Sequence, residues 1–165
     1  MEKTDMTGID TAPSDTRKAL LAQLNGVASE LLEFGRSVTD PDIPMYEGWT
    51  VKRTLGHILF WHESFARNVR DLAAGVKPAP VSGAYADLNR RCFEELETVT
   101  FIEVLDRFRA AQDMINRSIL DEKVVVIPYR VGSRSYSPEE HLEIVSKHIL
   151  THLKALRAAV RRKAK

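Results

Sequence analysis

Apolar residues return at intervals of three and four through four long stretches of this chain, and that spacing admits little besides helices packed by one face. Leu20, Leu24, Val27, Leu31 and Phe34 form the first stripe, and Val51, Leu55, Ile58, Phe65, Val69 and Leu72 the second. Val104, Leu105, Phe108, Ala111, Ile115 and Ile119 form the third. The last helix is expected to carry a stripe of His141, Val145, His148, His152, Leu156 and Ala159.

The helix boundaries are written in cap chemistry. Thr50 precedes the second stripe and Gly75 follows it. Thr100 with Glu103 makes a capping box before the third, and Ser137-Pro138-Glu139-Glu140 opens the last, with Pro at the first turn where a missing N–H costs nothing. Between these lie a loop with Pro41 and Pro44 and a shorter periodic stretch holding Leu88, Cys92 and Leu96. From Lys123 to Tyr136 the β-branched run Val124 to Ile127, Pro128 and Gly132 predict an extended loop or small ribbon. The expected fold class is therefore all-α, an up-down four-helix bundle with a short extra helix and an extended loop before the last helix. Residues 1–12 read as a disordered leader and 13–165 as one domain.

Charge excludes several functions. Twenty-four Lys and Arg against 23 Asp and Glu leave a net +1, too little to draw the chain as a whole onto nucleic acid or an anionic membrane. The lone Cys92 permits neither an internal disulfide nor a redox pair, which fits a cytoplasmic location. No run of about 18 apolar residues is present to span a membrane. Nor is there a phosphate-binding glycine loop, a nucleophile elbow or an EF-hand loop.

The chemistry left standing belongs to histidine. His148 and His152 lie four apart on the last helix, about 6 Å along its axis, close enough to share one ion. Their stripe points them into the bundle, where unpartnered imidazoles are costly. Either a shared metal or satisfied hydrogen bonds in a polar core layer would answer that cost. His57, in the second helix beside Trp61, can be brought across a bundle to make three ligands with open coordination positions. His62 reads as a pocket or supporting residue, and His141, two turns from His148, is too far away to join the same ion.

The run Gly48-Trp49-Thr50-Val51-Lys52-Arg53-Thr54-Leu55-Gly56-His57-Ile58-Leu59-Phe60-Trp61, with Leu88-Asn89 and the distal His148 and His152, resembles the DinB-like superfamily, and most closely its ClbS/DfsB branch. That resemblance implies a four-helix bundle, often a homodimer, holding a divalent metal, zinc or nickel, on His57, His148 and His152. It also implies a small-molecule substrate, since relatives include metal-dependent enzymes that use low-molecular-weight thiols and a hydrolase acting on a genotoxin. The expected function is thus protective or detoxifying, with metal-activated water or a thiol attacking an electrophile. The alternative is a protein that sequesters a ligand without catalysis, or a metal-free resistance protein of the ClbS kind. His62 and Glu63 are candidate proton shuttles, and Trp49, Trp61, Tyr85 and Asn89 are candidate pocket residues.

Overall fold

The computed structural model describes residues 13–165; the expected leader over residues 1–12 lies outside the described residues. Five helices carry the chain: α1 (Asp15–Ser37), α2 (Val51–Ala73), α3 (Tyr85–Leu96), α4 (Phe101–Ser118) and α5 (Pro138–Lys163). Each of the four long helices begins at a hydroxyl cap that accepts a backbone N–H: Ser14 from Arg17, Thr50 from Arg53, Thr100 from Glu103 and Ser137 from Glu140. At Thr100 and Ser137 the glutamate side chain also accepts from the cap's own N–H, closing both capping boxes. Two donors that a helix start would otherwise leave unpaired are satisfied in each case.

The long helices pack in the cyclic order α1, α4, α2, α5, with α3 laid on α2. Cross-links give their directions. Arg17 pairs with Glu139 and Glu30 with Arg157, so α1 and α5 run parallel. Lys52 at the start of α2 binds the Leu96 carbonyl just before α4, and Lys123 just after α4 binds the Ala73 carbonyl at the end of α2, so α2 and α4 run together. His57 meets His148 and Phe65 meets His141, so this pair is opposed to the other. Neighbours that run the same way need a return path, and α3 supplies it between α2 and α4.

The core is one cluster drawn from all five helices, with Leu24, Val51, Val69, Ile115, Leu142, Ile149, Leu153 and Leu156 sealed from solvent. Val124 and Ile127 join it from the loop before α5, whereas Val125 and Val126 face water. That loop forms no strand; it is tied by isolated bridges between Ile127 and Tyr136 and between Val81 and Arg130. No described helix is long and apolar enough to cross a membrane.

Candidate metal centre

Docking of α3 on α2 begins with a missing side chain. A Cβ on Gly56 would lie 2.0 Å from Leu96 Cδ1, so only glycine lets α3 come this close. Leu88, Cys92 and Leu96 form the buried stripe that seats it, and the Cys92 thiol donates to the Gly56 carbonyl at 3.5 Å. Next to Leu88, Asn89 then reaches the residue after Gly56: its Oδ1 accepts from Nδ1 of His57 at 2.9 Å. A side-chain carbonyl cannot donate, so the hydrogen sits on Nδ1 and the Nε2 lone pair of His57 is free.

That lone pair faces α5. His57 Nε2 lies 3.2 Å from His148 Nε2, which in turn lies 3.1 Å from His152 Nε2. One ring nitrogen from each of the three residues falls within 4.8 Å of the other two. Nε2 of His148 has a single in-plane direction: a lone pair there meets the lone pair of His57, and a hydrogen there can be aimed at only one of its two neighbours, so at least one short contact is left without a well-directed hydrogen bond. A cation among the three nitrogens removes this conflict, and three neutral imidazoles are a donor set that zinc and nickel accept. The residues present therefore fit a divalent metal.

Electrostatics point the same way. Burial disfavours protonation of all three rings, taking His57 to about 4 and His148 to about 3, and lowering His152. At neutral pH they present lone pairs rather than protons.

The expectation that His148 and His152 point into the middle of the bundle needs correction. The buried stripe of α5 runs through Leu142, Ile149, Leu153 and Leu156; both histidines are half-buried on its shoulder. The apolar side chains fill the bundle axis, and both imidazoles keep partial solvent exposure.

Trp49 is held by a tight turn in which Gly48 takes φ 73°, and its indole meets His57 edge-on at 5.2 Å and Phe93 at 4.8 Å. A groove of about 420 Å³, lined in part by Trp49, Asn89, Arg53 and Arg90, adjoins this corner. Trp61, one helical turn from His57, stacks on Tyr129 at 5.0 Å and lies 5.9 Å from Tyr85. Tyr129 escapes sequence reasoning because it sits in the aperiodic loop before α5.

The two candidate proton shuttles lie elsewhere. His62 is buried, stacked on Phe108 at 4.4 Å, and donates from Nε2 to Gln112 Oε1 at 2.8 Å; Gln112 donates onward to Asn25. Glu63 is held in a two-point pair by Arg107 at 2.9 and 2.7 Å. Gln112 had a visible signal, an amide set among Phe108, Ala111 and Ile115 of an apolar stripe. His141 is buried as well, stacked on Phe65 at 4.2 Å.

No protein-family model and no curated protein matches the sequence. Among solved structures, the chain is similar to a mycothiol-dependent maleylpyruvate isomerase, with a TM-score of 0.68 and 14% identity over 92% of this chain. It spans 63% of that protein's length. A histidine-to-alanine variant of that isomerase superposes with a TM-score of 0.66 at 12% identity. An uncharacterised protein from Escherichia coli UTI89 matches with a TM-score of 0.69 and 12% identity, over 92% of this chain and 96% of its own. At these identities what is shared is the architecture, and the five helices have the fold of these neighbours.

Proposed function

We propose that His57, His148 and His152 hold one divalent metal, zinc or nickel, and that the chain is an enzyme acting on an electrophilic small molecule with a low-molecular-weight thiol or water as nucleophile. The observation that carries this reading is the convergence of the three rings, with His148 Nε2 at 3.2 and 3.1 Å from Nε2 of His57 and His152 and the outer nitrogen of His57 committed to Asn89. A bound divalent cation supplies a Lewis acid that lowers the pKa of a coordinated thiol or water toward neutrality. In this reading Asn89 fixes the tautomer of His57, and Trp49 shields one edge of that ring from water. Trp61 and Tyr85 offer an aromatic wall beside the centre. His62 and Glu63 take no part in the chemistry, since Gln112 and Arg107 occupy them.

The thiol alternative is favoured by the fold shared with a mycothiol-dependent isomerase, and the Trp49-to-Trp61 run supports placement in the ClbS/DfsB branch. A protective role follows from that placement.

Elemental analysis of untagged protein purified without chelator tests the reading. Near-stoichiometric zinc or nickel is expected, and its loss from the His148→Ala/His152→Ala double variant. Protein that carries no metal and takes none up from a buffered zinc or nickel solution would overturn it, leaving ligand sequestration or metal-free hydrolysis.

A further inference from the structure

The bundle holds α3 more lightly than its other helices. It lies against α2 and no other helix, Ala84 at its start offers no capping side chain, and Leu88, Cys92 and Leu96 are its buried residues. Its outer face is charged, with Asp87, Arg90, Arg91, Glu94 and Glu95 exposed. A helix seated by so little apolar area is one that opens locally while the rest of a protein stays folded. Its C-terminal end is tied by Lys52 on the Leu96 carbonyl at 2.9 Å and by Arg53 on Glu97 at 3.1 Å. In its middle, the polar tie to the bundle is Asn89 on Nδ1 of His57.

We infer that α3 is a strap whose docking is coupled to occupancy of the histidine centre, so that loading the centre clamps α3 onto α2 and closes one wall of the groove beside Trp49. This rests on the proposed reading of the centre and adds how loading reaches the rest of the molecule. With Nε2 of His57 coordinated, the ring's hydrogen stays on Nδ1 and its plane is fixed, so the group that Asn89 accepts from is always presented. Coordination also strengthens that N–H as a donor. In the empty centre, a lifted α3 leaves the ring free to turn or to change tautomer. Linkage is reciprocal: the factor that the Asn89 contact adds to metal affinity, about 10- to 100-fold for a partner of this kind, is the factor by which loading suppresses the opening of α3. The groove of about 420 Å³ follows α3, because Asn89, Arg90 and Phe93 line it from that helix while Trp49 and Arg53 face them.

Cys92 reports the opening. It is the chain's lone cysteine, sits in the buried stripe of α3 at 4% exposure, and burial pushes its thiol up to about 12, so it is alkylated when α3 lifts. The full chain, stripped with a chelator and dialysed, is labelled with N-ethylmaleimide before and after loading with zinc, and the adduct is followed by mass. Zinc should slow labelling about tenfold or more. It should change the rate by less than about twofold in His148→Ala/His152→Ala, which keeps Asn89 but lacks two ligands, and in Asn89→Leu at saturating zinc. Circular dichroism reports whether Asn89→Leu folds; if it does not, wild type against the double variant still decides. An unchanged rate in wild-type protein that has taken up stoichiometric zinc would overturn the inference and leave the metal reading standing, whereas failure to take up zinc would overturn both. Slowing that persists undiminished in Asn89→Leu would also overturn it, because the coupling would not run through that side chain.

Discussion

Asn89 Oδ1 and His57 Nδ1 are 2.9 Å apart, and this one hydrogen bond decides which nitrogen of His57 faces His148. Replacing Asn89 with Leu leaves three imidazoles in the chain yet frees the ring to adopt the other tautomer. Metal affinity should fall about 10- to 100-fold, as for other partners that orient a ligating histidine. Competition against a chromophoric chelator measures it, and an unchanged affinity would remove Asn89 from the site.

Gly56→Ala should act on the same corner through packing. Its new Cβ would meet Leu96 carbons at 2.0, 2.8 and 2.9 Å, so Leu96 or the whole of α3 must move. A cost of about 1–3 kcal/mol is expected from overpacking. Leu96→Ala on top of Gly56→Ala should give a double variant more stable than the two single losses added together, because the clash has gone. Urea unfolding of the four proteins reads the coupling; simple additivity would contradict this packing.

Acid should loosen the bundle well above the range where carboxylates titrate. Burial lowers both His62 and His141 to about 4 from the ordinary 6.5. Between those values the unfolded chain binds protons that the folded chain refuses, so stability is complete above pH 6.5 and declines as pH falls toward 4. Each group contributes on the order of 3 kcal/mol at the acid end. His141→Phe, whose ring can keep the stack on Phe65, should flatten the decline measured by chemical denaturation at several pH values. An identical slope in the variant would show that the His141 ring is not held neutral.

Gln112→Leu should cost about 1–3 kcal/mol through the hydrogen bonds it removes from both neighbours, His62 and Asn25. His62→Phe in the same background should recover part of the loss, since the donor left unpaired has gone. Thermal unfolding of the single and double variants decides the matter.

Much of the architecture was readable because helices announce themselves twice, by periodic apolar residues and by caps such as Thr50, Thr100 and Ser137. The pairing of His148 with His152 was readable for the same reason, since a spacing of four on a helix fixes a shared face. Their exact facing was not: His141, Leu156 and Ala159 of the expected stripe are buried, but between them Ile149 and Leu153 take the bundle axis and leave His148 and His152 on its shoulder, because larger apolar area outweighs two imidazoles. The roles of Asn89 and Tyr129 were hidden because each depends on how a non-neighbouring segment docks. Asn89 needs the gap at Gly56, and Tyr129 needs its loop to be pinned by Asn68 on the Pro128 carbonyl. His62 looked like a partner of His57, yet five residues turn a helix through more than a third of a circle, and α4 is what lies on that side.

His57 and His148 stand 91 positions apart in the chain yet touch across the α2–α5 seam. During synthesis, a ribosome that has released α1 to α4 has produced no two members of the histidine cluster together. Only after residue 152 has emerged and α5 has settled can the three nitrogens meet. In the proposed reading the three-nitrogen site is thus tied to the completed bundle, and a chain cut short before α5 offers one of its three histidines.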